Sequence, residues 1–104
     1  MIDIATLTIL DARAGLRRGT FRSVDLVSAC FANIKKYNAR YNALLTVYPE
    51  EELLAAAQIV DKHGYDLPLA GIPVVLKDMY STEGNKTTAG SKVLEQYISV
   101  YDAT

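Results

Sequence analysis

Residues 71–91 read "GIPVVLKDMYSTEGNKTTAGS", and this stretch decides the fold class that the sequence predicts. The run from Ile72 to Leu76 is apolar and partly β-branched, which is typical of a strand covered on both faces. A charged pair, Lys77-Asp78, ends the run, and a loop rich in Gly, Thr and Ser follows it. We therefore predict a core strand over 72–76 that carries one lysine to the start of a loop.

Three helices are predicted before this strand. Apolar residues at steps of three and four indicate amphipathic helices over about 4–17 and 23–41. A third helix, over about 49–63, begins with Pro49 and three glutamates and stops at Gly64. Proline and acidic side chains favour the first turn of a helix, and glycine favours its end.

Two further elements complete the predicted fold. The short apolar segment 43–47 indicates a second strand, and Ser91 is a suitable N-cap for a short helix over about 91–97. Helices that alternate with strands predict an α/β fold, here with about four helices and two core strands. Segment 72–76 is apolar on both faces, but only one other strand is predicted for it to pair with. We therefore expect it to pair with another copy or with a further part of the polypeptide.

Length and composition indicate one partial domain over residues 1–104 of an ordinary globular protein. The net charge of −1 argues against bulk attraction to nucleic acid or to an anionic membrane surface. The N-terminus lacks the basic and apolar regions of a signal peptide, and no apolar run has membrane-spanning length. We therefore expect a cytoplasmic protein with no nucleic-acid partner and no membrane partner.

Metal and cofactor chemistry has little support in the sequence. Cys30 is the single cysteine, and the single histidine, His63, lies in the last turn of a predicted helix, where a surface position is favoured. The glutamates at 50–52 form a helix N-terminus and not a set of metal ligands. We expect neither a metal site nor a cofactor.

Lys77 has two interpretations. A lysine at the end of a strand can extend its ammonium group into water, with Asp78 as a weak surface partner. Alternatively, a lysine held where water is scarce favours its neutral amine, which can accept a proton from a serine hydroxyl. The loop that follows has small residues and hydroxyl groups that suit a substrate site, although a plain turn has the same composition.

Four segments of the chain resemble the amidase signature family, whose members act on carboxamides. The family's pattern is seen in "PLAGIPVVLKD" at 68–78, "TTAGS" at 87–91 and "YDAT" at 101–104. Upstream, "SVDLVSACFANIKKYNARYNALLTV" at 23–47 is similar to the family's second helix and first core strand. The resemblance implies that this chain is the N-terminal part of the amidase signature fold, whose strands belong to a larger mixed sheet.

The resemblance also implies a catalytic apparatus, a Ser-cis-Ser-Lys triad in which Lys77 is the base. Thr87, Thr88, Gly90 and Ser91 match a segment close to that site, which implies structural support or hydrogen bonding. The two serines of the family's triad lie in a Gly/Ser-rich stretch that this chain lacks. Because a base without its nucleophile cannot transfer an acyl group, we expect the 104-residue chain alone to be inactive.

Alternatives to a general amidase remain open on the sequence alone. One is the amidase subunit of the tRNA-dependent glutamyl/aspartyl amidotransferase, which "SKVLEQYISVYDAT" at 91–104 resembles. Another is a non-catalytic module, or truncated paralogue, that persists by forming oligomers. The partners expected are a small-molecule amide substrate for the whole enzyme, and either a second copy of this chain or the missing C-terminal part.

Overall fold

The computed structural model describes residues 2–104, and the regular secondary structure of this part of the chain is helical. The helices are α1 (Ile9–Arg18), α2 (Ser23–Tyr41) and α3 (Glu50–His63), followed by a 3₁₀ helix at Lys92–Leu94. Within the described residues, β-structure is limited to one isolated antiparallel bridge between Lys86 and Ile98. None of these helices has the length and apolar character needed to cross a membrane.

The α/β prediction, with core strands over 43–47 and 72–76, is therefore wrong for residues 2–104. An apolar, β-branched pattern indicates that a segment suits a sheet, but a strand forms only when its backbone pairs with a neighbour. Neither segment forms such a ladder within the described chain. Instead of a buried strand, Val74, Val75 and Leu76 are 67%, 75% and 56% exposed.

Capping explains where α1 and α2 begin. The Thr8 hydroxyl accepts a hydrogen bond from the Asp11 N–H, so α1 starts at Ile9 and not near residue 4 as the apolar spacing predicts. The Asp25 carboxylate accepts a hydrogen bond from the Arg22 N–H, and α2 starts at Ser23, as the sequence indicates.

The chain divides into two compact units, and the first contains all three α-helices. It combines the chain through Asn42 with Tyr48–Pro73. Its apolar residues form two clusters, and α2 supplies residues to both of them, so this helix organises the unit. The buried members are Ala12, Leu16 and Leu26 in one cluster and Val27, Phe31 and Ala57 in the other.

A carboxylate of α3 fixes the start of α2. Asp61 accepts hydrogen bonds from the Ser23 N–H at 2.7 Å and from the Val24 N–H at 3.3 Å. The Tyr65 hydroxyl also donates to Asp61, and the Ser23 hydroxyl donates to the Gly71 carbonyl at 2.9 Å. Because the first N–H groups of a helix have no partner within it, these contacts join α2 to α3 and to the segment that follows α3.

The second unit combines Ala43–Val47 with Val74–Thr104 and is built mainly from loops. Backbone hydrogen bonds join Gly84 and Asn85 to Ser99, at 2.8 and 3.0 Å, and the Thr87 N–H to the Tyr97 carbonyl. The helix predicted over 91–97 is reduced to the 3₁₀ helix at Lys92–Leu94, since the chain bends into turns after it. Ser91 caps this short element, accepting a hydrogen bond from the Val93 N–H.

Candidate functional site

The candidate site lies in the second unit, where Lys77 begins a tight turn. The Lys77 carbonyl accepts a hydrogen bond from the Tyr80 N–H at 3.1 Å. The Lys77 side chain is exposed and forms neither a hydrogen bond nor an ion pair with residues 2–104. The surface ion pair with Asp78 that the sequence allows is therefore not formed.

Asp78 instead bonds to the loop that carries the T-T-A-G-S motif. Its Oδ1 atom accepts the Thr88 N–H at 2.9 Å, and its Oδ2 atom accepts the Thr88 hydroxyl and, at 3.4 Å, the Gly90 N–H. The Asp78 main-chain carbonyl accepts the Ala89 N–H at 2.8 Å. Both the side chain and the backbone of Asp78 thus hold residues 88–90.

These contacts favour the charged form of the Asp78 carboxyl. The hydrogen bonds from the Thr88 hydroxyl and the Thr88 N–H lower its pKa, partial burial opposes them, and the Gly90 N–H adds to the lowering. The pKa of Asp78 therefore lies below the ordinary value for aspartate. At neutral pH the loop is held by a carboxylate, whose hydrogen bonds are stronger than those of a neutral acceptor.

The held loop has a tightly turned backbone. Ala89 has a φ of 50°, a left-handed conformation that a residue with a Cβ seldom adopts, and Gly90 follows with a φ of 70°. The Ser91 N–H donates to the Thr88 carbonyl at 2.8 Å, which closes the turn. Left-handed non-glycine residues persist only where surrounding contacts fix them, and Asp78 provides such contacts here.

Thr87 and Thr88 are buried side by side but have different environments. Each is 8% exposed, and the Thr88 hydroxyl is paired with Asp78. The Thr87 hydroxyl oxygen is also buried, yet it forms no hydrogen bond with residues 2–104. Burying a hydroxyl without a hydrogen-bond partner costs about 1–3 kcal/mol. A polar group that bonded to this oxygen would remove that cost.

The structure thus brings together the segments of the sequence-predicted site, but not a complete catalytic group. Asp78, the residue after Lys77, contacts Thr88 and Gly90 directly. Within residues 2–104, no hydrogen bond joins a serine hydroxyl to the Lys77 amine. Ser91 caps the 3₁₀ helix, and the buried Ser99 donates to the Tyr101 carbonyl. The arrangement can position an amine and hydrogen-bond donors, and it lacks a nucleophile beside that amine.

Sequence reasoning did not identify Asp78 as the residue that holds the loop. An acidic residue directly after the lysine, with Thr-x-Gly ten positions later, was a usable signal. Aspartate commonly accepts hydrogen bonds from N–H and hydroxyl groups in loops, so this pairing could have been proposed. What the sequence did not show is that residues 78 and 88 lie close together.

Other parts of the described chain offer little for a ligand. No group of three or more His, Cys, Asp or Glu side chains in residues 2–104 is arranged to hold a metal ion. A shallow cavity of about 460 Å³ lies in the first unit and contains none of the residues predicted for the site. It is lined by Arg22, Val24, Leu54, Gln58, Asp61 and Lys62.

Comparisons with known proteins place the same segments in one family. A family model for amidases matches residues 25–104. The A subunit of glutamyl-tRNA(Gln) amidotransferase from Roseiflexus sp. is 45% identical over 94% of this chain and 20% of its own length. The proteins of the same name from Geobacter metallireducens and Acinetobacter baumannii are each 40% identical, over 99% and 100% of this chain. The chain spans only 20–22% of these curated relatives, and no solved structure matches it.

Proposed function

Because this chain belongs to the amidase family, we propose that it is the N-terminal, lysine-bearing part of an enzyme that hydrolyses carboxamides. One observation carries the proposal. The family match over 25–104 includes both the Lys77-Asp78 turn and the Thr87–Ser91 loop, and Asp78 bonds these two segments together. In the proposed enzyme, residues 1–104 form part of one larger amidase domain.

In the proposed mechanism, the Lys77 amine is the base of a Ser-cis-Ser-Lys triad. Both serines come from a part of the enzyme outside this chain. The neutral amine accepts a proton from the bridging serine, which takes one from the nucleophilic serine as its oxygen attacks the amide carbon. The C–N bond breaks, the leaving nitrogen receives a proton, and water then hydrolyses the acyl-enzyme. Without either serine, the 104-residue chain is inactive by itself.

We assign the loop residues to support of this site. The Thr88 hydroxyl and the Gly90 N–H hold the loop on Asp78, and Ser91 fixes the first turn of the 3₁₀ helix. The Thr87 hydroxyl is a buried side-chain group of the loop that has no hydrogen-bond partner in residues 2–104. Its proposed partner is a polar group of the complete active site.

The second candidate is the amidase subunit of a tRNA-dependent amidotransferase. The names of the relatives favour it, since proteins described as the A subunit of glutamyl-tRNA(Gln) amidotransferase match 94–100% of this chain. In this case glutamine is the amide that is hydrolysed, and the ammonia is passed on within a complex. Such a complex acts on tRNA, in contrast to the free amidase, for which we propose no nucleic-acid partner.

The remaining assignments are common to both candidates. We propose a cytoplasmic enzyme that uses no cofactor and acts on a small-molecule amide. Lys77 and the two serines outside the chain supply the acid–base and nucleophilic chemistry, which requires no metal ion.

Ammonia release by the intact protein tests the proposal and separates the two candidates. We expect a general amidase to release ammonia from simple carboxamides without a partner protein. An amidotransferase subunit is expected to prefer glutamine and to gain activity with its partner subunits and charged tRNA. Absence of ammonia release from both kinds of substrate, with folded intact protein and with the complex, would contradict both assignments.

A further inference from the structure

We propose that Asp78 is a positioning residue that fixes the backbone of Lys77, and so the origin of its side chain, relative to the Thr87–Ser91 loop. This inference rests on the proposed function, because Lys77, the residue that Asp78 would position, is the base of the proposed triad. It concerns a residue that touches neither the substrate nor the reacting atoms and that acts through Lys77.

Several hydrogen bonds from the loop converge on Asp78. The carboxylate of Asp78 accepts three hydrogen bonds from Thr88 and Gly90, and its main-chain carbonyl accepts one more from Ala89. Because the side chain and the backbone of Asp78 are both bonded to the loop, Asp78 has little freedom to rotate. The peptide that joins it to Lys77 is held with it.

A turn holds the backbone on the other side of the Lys77–Asp78 peptide. The Lys77 carbonyl accepts the Tyr80 N–H at 3.1 Å, so the backbone of Lys77 is fixed within a closed turn. The exposed Lys77 side chain has no partner of its own in residues 2–104. The backbone of Lys77 therefore fixes the point from which the side chain starts, and Asp78 links that backbone to the loop.

The loop that Asp78 holds has two locally unfavourable features. Ala89 adopts a left-handed conformation, and the Thr87 hydroxyl is buried without a hydrogen bond in residues 2–104. Both features are unfavourable for folding, and unfavourable local features cluster at functional sites. A loop held in this state by a charged group suits a site that must keep a set geometry.

Asp61 provides a matched control for the test. Like Asp78, it is a half-buried carboxylate that accepts two backbone N–H groups and one hydroxyl, but it belongs to the first unit. Asp61→Asn and Asp78→Asn therefore remove the same kind of hydrogen bonding. A purely structural role for Asp78 predicts the same effect from both substitutions.

The experiment measures kcat, KM and the pH profile of ammonia release by the intact enzyme. Rates are expressed per active site, and active sites are counted by titration with a fluorophosphonate that reacts with the nucleophilic serine. We expect Asp78→Asn to lower kcat by roughly 10- to 100-fold with KM changed less, because small misplacements of a catalytic group cost about this much. We also expect it to shift the pH profile, because a displaced base leaves the surroundings in which it exchanges its proton. Asp61→Asn is expected to keep the kcat and the pH profile of the wild type.

Thr88 gives a second pair of variants that does not depend on Asp78→Asn folding. Thr88→Ser keeps the hydroxyl that donates to Asp78 and is expected to keep kcat within about threefold, whereas Thr88→Val should lower it in parallel with Asp78→Asn. If Asp78→Asn and Thr88→Val keep the wild-type kcat and pH profile while Lys77→Ala is inactive, the positioning role is wrong and the proposed function stands. An active Lys77→Ala variant would instead overturn the proposed function itself.

Discussion

Asp61 and Asp78 show how a single carboxylate can organise a chain of this size. Each is half-buried and accepts hydrogen bonds from two N–H groups and a hydroxyl. Burial raises the pKa of Asp61, but the hydrogen bonds from Tyr65, Ser23 and Val24 outweigh it, so this pKa also lies below its ordinary value. One carboxylate holds the start of a helix, and the other holds the candidate site.

The lowered pKa of Asp61 gives the stability of the first unit a defined pH dependence. A carboxyl with a lower pKa in the folded state stabilises the fold above its unfolded value of about 3.9, and this contribution is lost as the pH falls through the folded value. We expect Asp61→Asn to lower the free energy of unfolding by about 1.5–3 kcal/mol at pH 7. Urea denaturation should show that difference shrinking below about pH 4; a difference independent of pH would contradict the assignment.

The two adjacent threonines of the loop should respond to the same substitution in opposite ways. Thr87→Val replaces a buried hydroxyl that has no partner in residues 2–104, so we expect this chain to be as stable or about 1 kcal/mol more stable. Thr88→Val removes the hydroxyl that donates to Asp78 and should destabilise it by about 1.5–3 kcal/mol. Denaturation of both variants tests this, and equal losses would show that Thr87 is paired after all.

At the scale of secondary structure, the sequence predicts the helices well where packing and capping signals agree. The apolar spacing of α2 and the turn residues around α3 indicate nearly the ranges that the structure has, Ser23–Tyr41 and Glu50–His63. For α1 the two signals disagree. The apolar spacing extends to residue 4, but the Thr8 side chain caps a helix that starts at Ile9.

The α1 cap should have a measurable effect on stability. The Thr8 hydroxyl accepts the Asp11 N–H at 3.1 Å and donates to the Asp11 carboxylate at 2.7 Å. We expect Thr8→Ala to lower the free energy of unfolding by about 1 kcal/mol, as loss of an N-cap commonly does. Thr6→Ala, in the exposed turn before the helix, is the control and should change it by less than about 0.5 kcal/mol. Equal effects from the two substitutions would contradict the capping role.

The strand predictions failed for a reason that local sequence does not contain. Residues 72–76 have the composition of a buried strand, but a strand also needs a neighbour to pair with, and residues 2–104 provide none. Propensity describes which side chains suit a sheet, whereas pairing depends on residues distant in the chain. For the same reason, sequence patterns identified Lys77 and the loop as candidates but not the bonds between Asp78 and Thr88.

At the scale of the whole molecule, the main feature is the apolar surface left around the candidate site. Val74, Val75 and Leu76 are all more than half exposed, as are Met79 and Tyr80. Contiguous exposed apolar residues of this kind commonly mark an interface. We therefore expect a second copy of this chain to cover them when the chain is purified alone.

The purified 104-residue chain should therefore associate with itself. We expect Val75→Lys, at the most exposed position of the 74–76 run, to reduce that association, because burying a lysine at an interface is unfavourable. Light scattering over a range of concentrations measures the effect. Gln58→Lys, in the cavity of the first unit, is the matched control for added charge. A chain that is monomeric without any substitution would contradict this prediction.

The most direct test of the central claim, that Lys77 is the base of an amidase, is the turnover number of Lys77→Ala in the intact enzyme. We expect turnover to fall by roughly 10²- to 10⁴-fold while the fold is retained, because general-base catalysis contributes about this much. Lys77→Arg should fail as well, since a guanidinium group stays protonated and cannot accept the proton. Folded Lys77→Ala enzyme that turns over amides at nearly the wild-type rate would contradict the account.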